Sequence, residues 1–215
     1  MFKKKPFFIV FEGVEGCGKS YQSKKLFNKL KKNKIDAILT REPGGTKSSE
    51  LIRNLILKDY FNKNSKEKFD KYTDTLLYLA ARNEHIKNKI RPALLNKKVI
   101  ICDRFTDSTI AYQVYGKKVD KKFITKIHKK ILSGIKPNIV FVLKVSKESS
   151  NKRLKKRKTK NRYDNFAQSF YRKAQKSFIR IANNKKNYYL MESSSNDNIL
   201  ENKIFNIVKK QLNIK

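Results

Sequence analysis

Between residues 13 and 20 the chain reads Gly13-Val14-Glu15-Gly16-Cys17-Gly18-Lys19-Ser20, the spacing G-x-x-x-x-G-K-[ST]. Three glycines let successive backbone N–H groups turn inward around an anionic phosphate, and a helix beginning there aims its positive end at the same anion. Gly13, Glu15, Gly16, Cys17, Gly18, Lys19 and Ser20 are therefore the expected ATP-binding set, Lys19 reaching the terminal phosphates and the Ser20 hydroxyl ligating Mg²⁺. Asp103 directly follows the apolar run Val99 to Cys102, where a second carboxylate would hold the same metal; capping the next helix is its alternative role.

These groups need a scaffold, and the hydrophobic pattern supplies one. Short apolar runs at 7–11, 37–40, 99–102, 139–145 and 188–191 read as buried strands. Between them helices are expected at 20–32, 48–57, 70–95, 106–115, 121–133, 147–157, 165–183 and 198–211. Strands alternating with helices predict an α/β fold, a mostly parallel sheet with helices on both faces. In such sheets the ligand lies beyond the carboxyl ends of the strands, so 13–20, 41–46 and 103–113 are the segments to watch.

With 215 residues and no linker-like stretch, 1–215 reads as one domain. No signal peptide or membrane-spanning run is visible, which predicts a cytoplasmic protein with no membrane partner. Lys and Arg number 53 against 18 Asp and Glu, a net charge of +35. The lysines are scattered rather than clustered, so a solvated surface is favoured over a nucleic-acid groove; a basic P-loop nucleic-acid-binding protein is the non-enzymatic alternative. Two cysteines give no disulfide framework and no metal-ligand spacing. Cys17, at a helix N-terminus beside Lys19, is expected to be a reactive thiol, and Cys102 a core thiol. His85 and His128 are expected at the surface.

Beyond the phosphate loop the chain carries Thr40-Arg41-Glu42-Pro43-Gly44-Gly45-Thr46, Tyr78-Leu79-Ala80-Ala81-Arg82, and Asp103-Arg104-Phe105 with Ser108 and Ala111-Tyr112-Gln113. With the phosphate loop these make four motifs, and in this order they resemble the thymidylate kinase family over nearly the full length, which implies the P-loop nucleoside monophosphate kinase version of this α/β fold. The resemblance implies transfer of the γ-phosphoryl group of ATP to dTMP, giving dTDP, with Mg²⁺ as cofactor and a homodimeric assembly. Another nucleoside monophosphate kinase is the enzymatic alternative.

The family's site roles then fall on specific residues. Arg104 and Arg53 would hold the acceptor phosphate, a surface salt bridge being the alternative for Arg53. Tyr78 would stack on thymine, at a position where the family more often has Phe, and Arg82 would donate to a base carbonyl from the same helix face. Ser108 and Gln113 would line the base pocket and Tyr112 would pack under the sugar, with plain helix packing as the alternative. Glu15 would accept from the 3′-hydroxyl. One family subtype carries an arginine after this acid, where this chain has Gly16; the other supplies it from a lid. The basic stretch 152–163 is placed like that lid, so Arg157, helped by Arg162, would close over the transferring group, while Arg153 is a weaker candidate. The Glu42-Pro43 bond would be cis by the same resemblance.

Overall fold

A computed structural model describes residues 5–58, 67–156, 168–193 and 197–214. Strand β1 (Phe7–Glu12) is wholly buried and pairs in parallel with β3 (Val99–Asp103) on one side and β4 (Ile139–Lys144) on the other. Outside these lie β2 (Ala37–Arg41) and β5 (Tyr188–Glu192), giving the parallel order β2-β3-β1-β4-β5. Runs such as Val99-Ile100-Ile101-Cys102 are apolar without alternation because helices cover both faces of the sheet.

The chain leaves β1 toward one side of the sheet and later crosses to the other, so the topological switch point is the carboxyl end of β1. The phosphate loop starts there and leads into α1 (Lys19–Lys32). Helix α2 (Lys47–Leu57) is capped by Thr46, whose side chain accepts from Ser49 N–H, and α3 (Lys71–His85) by Asp70 in the same manner with Tyr72 N–H. The helix expected across 70–95 is continuous but not uniform: residues 86–90 widen into a π turn before α4 (Arg91–Leu95). Pro92 has no N–H to donate, and the wider register falls immediately before it. The helix expected across 106–115 likewise splits into α5 (Thr106–Thr109) and a π segment, Ile110–Gly116. Then come α6 (Lys121–Leu132), α7 (Lys147–Lys155), α8 (Gln168–Asn183) and α9 (Asp197–Leu212). The first residues expected of α8, 165–167, lie outside the described residues.

Phe11 and Phe141 meet across β1 and β4 at 5.3 Å between ring centroids, and Phe141 continues to Tyr189 on β5 at 5.7 Å. This aromatic file ties β1, whose carboxyl end carries the phosphate loop, to β4 and β5. Phe141 is 0% exposed, so Phe141→Ala should destabilise the protein by about 3–5 kcal/mol in urea unfolding. A loss below about 1 kcal/mol would show that the file is not a structural support.

Candidate active site

A cleft of about 490 Å³ opens at the carboxyl ends of β1, β2 and β3. Gly13, Gly16 and Gly18 take φ of 140°, 72° and 90°, conformations open to glycine, which turn the loop N–H groups toward one point. Turning them inward sends the carbonyls outward, where each needs a donor. Three consecutive ones find it: Glu15 C=O accepts from Ser150 Oγ at 2.9 Å, Gly16 C=O from Arg153 Nη1 at 3.3 Å, and Cys17 C=O from Ser193 Oγ at 2.6 Å. These donors stand on α7 and at the end of β5. The same packing explains glycine at position 16: a Cβ there would meet the Ser150 carbonyl oxygen at 2.8 Å, so no arginine fits at this point of the loop.

Lys19 is 6% exposed and its Nζ donates to Val14 C=O at 2.8 Å, lying across the loop it serves. Ser20 Oγ donates to Asp103 Oδ2 at 2.5 Å, while Asp103 Oδ1 is buried with no partner among the described residues. A hydroxyl and a carboxylate in contact, one carboxylate oxygen still uncommitted, are a hard oxygen donor set that fits Mg²⁺. Asp103 does not cap α5, since no side-chain bond caps that helix.

The opposite wall begins with Arg104, whose φ of 72° turns its side chain back over the loop. Nη1 donates to Gly13 C=O and Ser108 Oγ, and Nη2 to Glu15 Oε1 at 2.7 Å. Tyr112 donates to the other Glu15 oxygen at 2.6 Å, and its ring lies under the Arg104 guanidinium at 5.2 Å and beside Phe170 at 5.8 Å. Burial pushes the Glu15 carboxyl up, but Arg104, Lys19 and the Tyr112 hydroxyl outweigh it and hold the group below the usual carboxylate range. Glu15 is therefore an ionised acceptor facing the cleft.

Arg53 donates to Pro43 C=O at 2.6 Å and approaches Glu50 only at 3.9 Å, so the loop contact is the closer one. The Glu42-Pro43 bond is cis. Tyr78 and Arg82 share one face of α3 and both line the cleft, as do Ser108 and Gln113. Gln113 is 2% exposed and its amide nitrogen has no partner among the described residues.

Two members of the expected phosphate set do not line the cleft. Gly13 is packed against β4, where an added Cβ would touch the Leu143 carbonyl at 2.5 Å, and Cys17 is 0% exposed. The burial of Cys17 corrects the expectation of a reactive thiol, because no reagent can reach its sulfur without opening the loop. Cys102 is buried as expected, and burial pushes its thiol up. Arg157 and Arg162 lie outside the described residues.

The surface placement of the two histidines is wrong. His85 is 0% exposed, bridging Thr40 Oγ1 at 2.7 Å and Glu42 Oε1 at 3.1 Å. His128 is 7% exposed with Nε2 at 2.7 Å from Arg82 Nη1. Helical period could have flagged His128, since it shares a face with Ile124, which is fully buried. Also missed was Glu12, an acid ending a wholly apolar strand. Its Oε1 accepts from Phe105 and Ser108 N–H and its Oε2 from Ser108 Oγ, tying β1 to the start of α5.

A parallel sheet with a phosphate loop at its switch point, a metal-ready Ser–Asp pair and a facing basic pocket defines a P-loop kinase of the nucleoside monophosphate type. The thymidylate kinase family model matches residues 11–204. A thymidylate kinase of Aster yellows witches'-broom phytoplasma (strain AYWB) is 39% identical over 209 residues, covering 95% of this chain and 96% of that protein. One of Wolbachia pipientis wMel is 42% identical over 178 residues, covering 81% and 84%. The crystal structure of thymidylate kinase from Ehrlichia chaffeensis superposes with a TM-score of 0.74 at 30% identity, over 95% of this chain and 99% of that one. The chain belongs to the thymidylate kinase family.

Glu12 supplies a pH test of how the site is tied together. Burial, and then Asp107, push its carboxyl from 4.5 up to about 7, against the bonds from Ser108 and Phe105. With the folded value above the unfolded one, its contribution to stability is full below about pH 4.5 and is lost as pH rises through about 7. Glu12→Gln should therefore gain in melting temperature relative to the parent as pH is raised across that window. A difference that does not vary with pH would refute the shift.

Proposed function

We infer that the chain transfers the γ-phosphoryl group of ATP to dTMP, releasing ADP and dTDP. The observation that carries this reading is the convergence of Lys19 with Arg53, Tyr78, Arg82 and Arg104 in one cleft, with Glu15 between the two groups. The acceptor phosphate is ionised near neutral pH, so no general base is needed, and catalysis reduces to holding two polyanions in line and neutralising charge. Lys19 and the inward N–H groups of the loop hold the donor phosphates. Ser20 and Asp103 would hold Mg²⁺, which neutralises charge on the phosphate oxygens when bound.

On the acceptor side Arg53 and Arg104 grip the monophosphate with planar donor forks. Tyr78 stacks on the base, Arg82 donates to its carbonyl, and Gln113 offers the same pocket its amide nitrogen, which has no partner among the described residues. Glu15 accepts from the 3′-hydroxyl, and Tyr112, held by Glu15 and Phe170, floors the sugar. The lid roles of Arg157 and Arg162 rest on family resemblance alone. The reading also takes 1–215 as one catalytic domain in the cytoplasm, where soluble nucleotides are found; no helix among the described residues is long and apolar enough to cross a membrane.

A homodimer is part of the same proposal. Leu51 and Leu55 on α2 are 70% and 44% exposed, and Leu76 on the adjoining α3 is 48% exposed. Neighbouring exposed leucines on paired helices suit a second copy of the chain.

ADP release in a coupled assay should require dTMP, with weaker turnover of dUMP because one methyl group is worth only about 1–3 kcal/mol in such a pocket. Arg53→Ala should raise the KM for dTMP by about tenfold or more while leaving the KM for ATP nearly unchanged. ATP consumption that is no faster with dTMP than without it would end this reading.

A further inference from the structure

Four of the five N–H donors of Arg82 are engaged by the protein itself. Nε donates to Glu42 at 2.7 Å, Nη1 to Thr109 Oγ1 at 2.8 Å and to His128 Nε2 at 2.7 Å, and Nη2 to Phe105 C=O at 2.9 Å. Among the described residues one Nη2 hydrogen remains, on a side chain that borders the cleft and is only 3% exposed. Glu42, Thr109 and Phe105 also line the cleft; His128 stands behind it on α6.

A guanidinium can only donate, so the short contact requires His128 Nε2 to be the acceptor and its imidazole to be neutral. Burial, together with the Arg82 charge, supports that state by lowering the imidazole from 6.5 to about 3. Loss of this acceptor would leave one Nη1 hydrogen buried and unsatisfied. The least costly response is for the guanidinium to turn toward another acceptor or a water, and the turn would carry its last N–H out of position. The Phe105 ring lies against the guanidinium, its centroid 5.4 Å from Arg82 Cζ.

We propose that His128 is a positioning residue of the acceptor site, whose Nε2 sets the rotation of the Arg82 guanidinium so that its remaining N–H faces the base. The proposal rests on the reading of Arg82 as the base contact, and the experiment separates the two.

Steady-state kinetics of the full chain, varying dTMP and ATP in turn, should be compared for Arg82→Lys, His128→Ala, His128→Leu and His128→Asn. Arg82→Lys should raise the KM for dTMP about tenfold or more. His128→Ala should raise it by about tenfold with the KM for ATP within about twofold, the size of one lost buried hydrogen bond. His128→Leu fills the space without an acceptor and should behave like the alanine variant, which keeps the test open if the smaller side chain unfolds the protein. His128→Asn, whose amide oxygen can accept, should recover most of the affinity. The double variant Arg82→Lys/His128→Ala should lose little beyond Arg82→Lys alone, because both act through one group.

If Arg82→Lys raises the KM for dTMP and both His128→Ala and His128→Leu leave it unchanged, His128 is only a packing residue and the proposal is overturned. Equal rises in both KM values would likewise overturn it, as general disruption. If Arg82→Lys itself leaves the KM for dTMP unchanged, the base contact fails and the role of His128 fails with it.

Discussion

A loop that points its N–H groups at an anion must turn its carbonyls the other way, and inside a folded protein those carbonyls cannot be left without donors. Ser150, Arg153 and Ser193 meet that requirement at Glu15, Gly16 and Cys17. The loop conformation is thus fixed from behind by elements that lie 130 or more residues away in sequence. Fixing it also fixes the Glu15 side chain, and Glu15 fixes Arg104 and Tyr112, so the phosphate loop and the opposite wall of the cleft share one support.

The part of the cleft lined by Glu42 and Arg82 depends on a second set of buried charges. Arg82 and Glu42 are each 3% exposed at the side chain, a burial that would be costly for either alone. Their 2.7 Å contact, with His85 on the second Glu42 oxygen, satisfies both charges and keeps Glu42 ionised despite its burial. The loop over this network is held just as closely: a Cβ at Gly45 would meet Thr40 Oγ1 at 2.5 Å and His85 Nε2 at 2.7 Å. Arg53, bound to Pro43 C=O, takes its position from that loop.

Much of this was legible in sequence because it follows from local rules. Apolar runs gave all the observed strands to within a residue or two, and glycine spacing gave the loop. The cleft residues within 13–20, 41–46 and 103–113 followed from standing just after strands, where the switch-point rule places ligands, while Arg53, Tyr78 and Arg82, which lie within helices, came from the family resemblance. What escaped were groups whose meaning is set by distant partners. Nothing near His85 or His128 names Glu42 or Arg82 as the neighbour, so both looked like ordinary surface histidines. Glu12 closes an apolar strand, and only the fold brings Phe105 and Ser108 to it. The π segments escaped as well, because at 5 and 7 residues they are too short for a changed period to show in the apolar pattern.

The charge excess of +35 draws anions to the whole surface, yet it does not specify a site. Exposed lysines act through a screened field that fades within about 8 Å at physiological salt. The cations of the cleft are of another kind: Lys19 and Arg82 are buried, and Arg104 is 16% exposed at the side chain. Each is turned by hydrogen bonds to loop carbonyls or carboxylates, which leaves direction as well as charge. Two anions facing one another across a transferring group must be held in a definite geometry, and oriented, partly desolvated donors can supply it where a diffuse field cannot. Glu15 among them carries the opposite sign, and placing a buried anion in a cleft built for phosphates has a cost. That cost is tolerable because Arg104, Lys19 and the Tyr112 hydroxyl compensate it.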